Sequence, residues 1–144
     1  MSAAYSTAKM QLLANIDVDD LAKATQFYCN AFGLKTGRRL GTSGIELLGA
    51  SFGVYLLEKP AESAATPNSE LRHYTRHWTP VHLDFIVPDI DSSVQRAIAA
   101  GAQLETGVRT APWGKIAVLA DPFGHGFCLI QFLNRGYDEI ADLA

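Results

Sequence analysis

The sequence predicts an α+β fold in which a strand–helix–three-strand unit occurs twice. Three observations lead there. Two segments repeat one physical pattern at an offset of 69 positions, which superposes Val18 on Val87, Asp20 on Asp89 and Leu21 on Ile90. In each, an alternating strand runs into an acidic turn and then a stretch with apolar residues at spacings of three and four. Each such stretch ends at a glycine and is followed by three short apolar runs split by turn residues.

In the first copy, 15–21 reads Asn-Ile-Asp-Val-Asp-Asp-Leu. Asp19-Asp20 can accept backbone N–H groups and so cap a helix over about 21–32, with Leu21, Ala24, Phe27, Tyr28 and Ala31 on one face. Gly33 suits the position after a helix end, where positive φ is common. Strands are expected at 34–40, 45–48 and 52–57, with Glu58 beyond the last one. In the second copy the strand lies around 81–87. Alternation points Leu83, Phe85 and Val87 one way and His82, Asp84 and Ile86 the other. Asp89 and Asp91 offer the cap, the helix covers about 92–100, and Gly101 ends it. Strands are expected at 103–109, 116–120 and 127–132. Asp121-Pro122-Phe123-Gly124 makes the last turn.

The stretch 59–80 breaks the pattern. It opens with Pro, Ala, Ser and Thr in the manner of a linker and continues as Leu71-Arg72-His73-Tyr74-Thr75-Arg76-His77-Trp78. It serves as a lid or packing segment, or as a plain linker. The expected organisation is one domain over 1–144: a first module at 10–58, a linker or lid at 59–79, a second module at 80–132 and a tail at 133–144. The tail can form a short helix with Tyr137, Ile140 and Leu143 on one face.

Composition narrows the function classes. The net charge is −3, so there is no basic excess to neutralise phosphates and nucleic acid is not an expected partner. No apolar run nears the roughly 20 residues that span a bilayer, so no membrane partner is expected. Residues 1–10 lack the apolar core of a signal peptide. Cys29 and Cys128 are too few for a disulfide framework and read as small buried apolar residues. The expectation is a reduced, cytoplasmic protein.

Three motifs, in order, resemble the vicinal oxygen chelate superfamily, which groups glyoxalase I, bleomycin-resistance proteins and extradiol dioxygenases. They are Val18-Asp19-Asp20-Leu21 through Phe27-Tyr28 to Phe32-Gly33-Leu34, His82 through Asp89 with Gly101-Ala102, and Asp121-Pro122-Phe123-Gly124 through Ile130. The resemblance covers about 10–132. It implies two βαβββ modules forming a curved mixed-sheet cup with helices outside. It also implies metal ligands inside the cup, on the first and last strands of each module, where a metal acts as a Lewis acid on substrate oxygens.

The ligand positions of the family fall on Leu13, Tyr55, His82 and Cys128. Only His82 keeps the usual ligand type. Leucine cannot coordinate, and neither Val54 nor Leu56 beside Tyr55 is a ligand. A His/Cys pair falls short of the three or four protein ligands of a divalent site. No metal is therefore expected, and no other cofactor. His82 then stands as a pocket histidine or a substrate-binding group. Asp84, two residues on, faces the same side; it satisfies His82 structurally or sets a base for proton transfer. These two are the candidate catalytic pair. Asn15, Asp17, Tyr55, Trp113, Cys128 and Phe132 are the candidate ligand-binding residues, with Trp78 as a further stacking candidate. His125 reads first as turn chemistry. His73 and His77 would share a helical face and could bind a metal, but Arg72 and Arg76 oppose a cation there.

The expected function is binding of a small organic molecule, aromatic or polycyclic, in the cup and without the usual metal. The alternative is a lyase, isomerase or dioxygenase-type enzyme with a non-standard metal site or metal-free His/Asp acid–base chemistry. A third class is a module acting through a dimer face. The resemblance implies a homodimer, with or without exchange of modules.

Overall fold

A computed structural model describes residues 9–142. The order is β1 (Leu13–Val18), α1 (Leu21–Phe32), β2 (Lys35–Leu40), β3 (Gly44–Leu48), β4 (Gly53–Glu58), β5 (Leu83–Ile86), α2 (Ile90–Ala100), β6 (Gln103–Ala111), β7 (Gly114–Ala120), β8 (Gly126–Phe132) and a 3₁₀ turn at Gly136–Glu139. The strands form two four-stranded sheets with one topology used twice, β1-β4-β3-β2 and β5-β8-β7-β6. The first and last strand of each unit pair in parallel and the others antiparallel. The fold is α+β and consists of two βαβββ modules.

The two helices start alike. The N–H of Leu21, first residue of α1, donates to Glu58 Oε2 at 3.0 Å, and the N–H of Ile90, first residue of α2, donates to Gln131 Oε1 at 2.9 Å. Both acceptors come from the end of the module's last strand, so strand and helix lock each other while filling an orphan donor. Glu58 thus closes β4 rather than leaving it. Asp20 caps α1 as expected, Oδ1 accepting the Lys23 N–H at 3.0 Å. Asp89 does not cap α2 through its side chain; Gln131 takes that place, and the helix begins at Ile90, not at 92. Gly33 ends α1 at φ 69°, its N–H donating to the Cys29 carbonyl.

Each sheet turns one face to the helices. Val54 and Leu56 of β4, Leu119 of β7 and Phe127 and Leu129 of β8 pack there with Leu21, Phe27, Tyr28 and Val94 in one continuous core. Burial of a side chain such as Phe27 contributes about 1.5–3 kcal/mol. The modules share this core: Phe32 of α1 stacks on Phe85 of β5 with ring centroids 4.1 Å apart and meets Phe127 edge-on. The opposite sheet faces are open. Leu13, Leu48 and Ile86 stand on them, 58, 50 and 66% exposed.

Segment 59–82 is pinned rather than free. Arg72 Nε donates to Asp17 Oδ2 at 2.8 Å, Tyr74 Oη donates to the Lys59 carbonyl at 2.6 Å, and Ala64 bridges to Leu71. Further on, the segment lies against the β7–β8 turn so closely that a Cβ at Gly124 would collide with the Thr75 carbonyl and one at Gly126 with the Trp78 ring. There is no helix here, so His73 and His77 do not share a helical face. The tail forms a single 3₁₀ turn in place of the expected helix; Leu143 and residues 1–8 lie outside the described residues.

Candidate functional site

The site grows from the parallel pairing of β5 with β8. Its register sets Asp84 opposite Cys128. His82 precedes Asp84 by two residues and so projects from the same side. His82 Nε2 meets Asp84 Oδ1 at 3.1 Å. One ligand atom from each of His82, Asp84 and Cys128 falls within 4.8 Å of the others. Trp78, from the pinned segment, lays its ring 4.7 Å from the His82 ring, over Gly126. Arg76 sits 5.6 Å from the Trp78 ring and is itself paired through Nε and Nη2 with Glu105 of β6. His82 is thus held on one side by a carboxylate and on the other by an aromatic face.

Asp84 is exposed, so its charge carries no large desolvation cost. Cys128 is buried as expected. Burial, and then the Asp84 charge, push its thiol up to about 11, which keeps it protonated at neutral pH.

His82 borders a cleft of about 640 Å³ between β1 and β5. Leu12, Leu13 and Val81 line it with apolar surface, and Asn15, Asp17 and Thr79 bring polar groups. Asn15, Asp17 and His82 are thus brought together. Asp84 borders a second cleft of about 630 Å³, walled by the end of α1, residues 49–52 and the start of α2. The His82–Asp84 pair stands between the two clefts.

The other candidates lie elsewhere. Tyr55 is on the first sheet, where Oη donates to Glu46 Oε2 at 3.0 Å and accepts from Arg38 Nη2 at 3.0 Å. Arg38 holds the Glu46 carboxyl down to about 2. Phe132 is four positions along β8 from Cys128, about 13 Å at strand rise. It packs with Trp113 and Tyr137, ring centroids 4.8 to 6.2 Å apart. Neither Trp113 nor Phe132 lines the cleft beside His82. The sequence singled out His77 only as a metal ligand beside His73, and His125 first as turn chemistry; in the structure the two line that cleft together. The aromatic and basic patch at 71–78 was the signal; what it packs against was not visible.

The residues present do not fit the metal set that the resemblance implies. Leu13 supplies no donor, and Gly53, whose missing Cβ would lie 2.5 Å from Leu13 Cδ2, makes room for that apolar side chain. Tyr55 is engaged with a guanidinium, which repels a cation.

Two stacked βαβββ modules with open sheet faces and a His-lined cleft define the class of protein. The family model "Glyoxalase-like domain" matches residues 14–130, and the chain belongs to this glyoxalase-like family, within the vicinal oxygen chelate superfamily. An uncharacterized protein of Mycobacterium bovis is 35% identical over 141 residues, covering 90% of this chain and 88% of that one. The anthracycline biosynthesis protein DauV of a Streptomyces species is 30% identical over 127 residues, covering 86% of this chain and 42% of that one. Among solved structures, TnmS3, an antibiotic binding protein from a Streptomyces species, matches with a TM-score of 0.63 at 21% identity, covering 90% of this chain and all of that one. This last likeness concerns the fold alone.

Proposed function

We propose that the chain binds a small, flat, apolar organic molecule in the cleft between β1 and β5, without a resident metal. The observation that carries this reading is the cleft itself: about 640 Å³, apolar along Leu12, Leu13 and Val81, with Asn15 and His82 as convergent polar groups. The 30% identical relative from anthracycline biosynthesis favours a polycyclic aromatic ligand. Trp78 does not line the cleft itself; it backs His82, whose ring lies 4.7 Å from its own. A homodimer belongs to the same proposal, as the family resemblance implies. The protein is read as cytoplasmic, since both cysteines are free; among the described residues no helix is long and apolar enough to cross a membrane.

A second reading rests on the His82, Asp84 and Cys128 donors lying within 4.8 Å of one another. They would serve an enzyme through His82–Asp84 proton transfer or through a non-standard metal. A thermal-shift screen of polycyclic aromatic quinones, run with and without EDTA, separates metal-free binding from the metal-dependent form of the second reading. The binding reading expects shifts of several degrees that EDTA leaves unchanged. Shifts that vanish with EDTA, or no shift at all, would overturn it.

A further inference from the structure

Four imidazole nitrogens and two carbonyls form one row at the edge of the cleft. His77 Nδ1 lies 2.9 Å from the Thr75 carbonyl, His77 Nε2 lies 2.9 Å from His125 Nδ1, and His125 Nε2 lies 2.7 Å from the Asp17 carbonyl. The proton count follows from donor and acceptor chemistry. A carbonyl only accepts, so both outer nitrogens carry protons. A neutral imidazole has one N–H, so two neutral rings would leave both inner nitrogens bare, with lone pairs facing at 2.9 Å. One further proton turns that repulsion into an N–H···N hydrogen bond of ordinary length. The row is complete with three protons on four nitrogens and one positive charge.

The geometry points to a proton-held latch: His77 and His125 share one proton, and with it they fasten segment 59–82 to β1 and to the β7–β8 turn across the cleft. Without that proton, one ring must surrender its bond to the Thr75 or the Asp17 carbonyl. With a second extra proton, two cations face each other. Either change loosens the segment that brings His77, Thr79, Val81 and His82 to the cleft wall. The backbone supports the same junction, the His77 N–H donating to the Gly124 carbonyl at 3.0 Å.

The charged and titratable neighbours leave the shared proton to the pair. From β1, the Asp17 carboxylate is held by Arg72, and Asp19, just after β1, acts on Tyr74. Within the segment, the His73 ring is 5.7 Å from that of His77, the Tyr74 ring 6.2 Å from that of His125, and Arg76 is paired with Glu105. From the turn and α1, Asp121 is occupied by the Tyr28 hydroxyl and two backbone N–H groups. The latch does not depend on what the cleft binds.

Long-range ¹H–¹⁵N imidazole spectra of the full chain from about pH 5 to 9 read the protons directly, since histidine charge changes fall in that range. The expected result is a window in which the outer nitrogens of both rings are protonated and the inner pair shares one proton. The two rings should leave this state together. Amide exchange across 72–78, corrected for intrinsic rate, should accelerate about tenfold or more outside the window. In His77→Gln that pH dependence should be lost. A bare outer nitrogen on either ring throughout the range would overturn the latch. So would a His77→Gln protein whose segment keeps the wild-type pH dependence. Should His77→Gln not fold, the wild-type spectra decide alone.

Discussion

Tyr28 Oη of α1 donates a 2.5 Å hydrogen bond to Asp121 Oδ2 in the β7–β8 turn, across 93 residues of sequence and between the two modules. Asp121 is the one buried charged side chain among the described residues, and it is fully occupied: Oδ1 accepts the N–H groups of Phe123 and His125 at 2.8 and 2.9 Å. Burial, and then the Asp121 charge, hold the Tyr28 hydroxyl well above its ordinary value, so it stays a donor. The turn that carries His125 toward the cleft is thereby tied to the first module. Tyr28→Phe removes one donor from a buried carboxylate and should cost about 1.5–3 kcal/mol. Urea unfolding checks this; a change under about 0.5 kcal/mol would show the bond to be dispensable.

The contact of Trp78 with Gly126 gives a separate test. Gly126→Ala places a Cβ inside the indole ring's space and should cost about 1–3 kcal/mol while displacing Trp78 from His82. Tryptophan fluorescence should shift accordingly. An unchanged spectrum and stability would mean that Trp78 does not lie against the start of β8.

Cys128 allows a prediction with a definite sign. Its thiol ordinarily ionises near 9.0 and here at about 11, so the folded state keeps the proton longer than the unfolded chain. Stability from this group is complete below pH 9 and is lost as pH rises from 9 to about 11. Alkylation at about pH 8 should be slow. Asp84→Asn removes a charge that disfavours the thiolate and should speed alkylation several-fold, up to about tenfold if the thiol pKa falls by about one. Slower alkylation in Asp84→Asn would contradict the contact between the two.

Metal content tests the misfit at Leu13 and Tyr55. Protein purified without chelator should carry less than about a tenth of a metal ion per chain, since an authentic site would retain its ion. Near-stoichiometric metal that is lost in His82→Ala would instead favour the His82, Asp84 and Cys128 donors as a metal set.

The fold was legible because it rests on periodicity. The 69-residue repeat, the glycines at 33 and 101 and the alternation through His82, Asp84 and Ile86 are local patterns, and β5 follows them. The meeting of His82 with Asp84 is also local, being an i, i+2 relation on one strand face. Long-range partners left no such trace. Tyr55 turns to Glu46 and Arg38 because β2, β3 and β4 pair, not because of its neighbours in sequence. Glu58 and Gln131 cap helices 37 and 41 residues away. His77 and His125 meet across 48 residues, on a segment whose path no periodicity describes.

The most direct test of the central claim is a calorimetric titration of the best polycyclic aromatic ligand, with EDTA present, into wild-type and His82→Ala protein. Metal-free binding at this cleft predicts saturable micromolar affinity for the wild type, unaffected by EDTA. It predicts at least about tenfold weaker binding by His82→Ala, a loss of about 1.4 kcal/mol. Binding that requires a divalent metal, or that is equally tight in both proteins, would contradict a metal-free ligand site at this cleft.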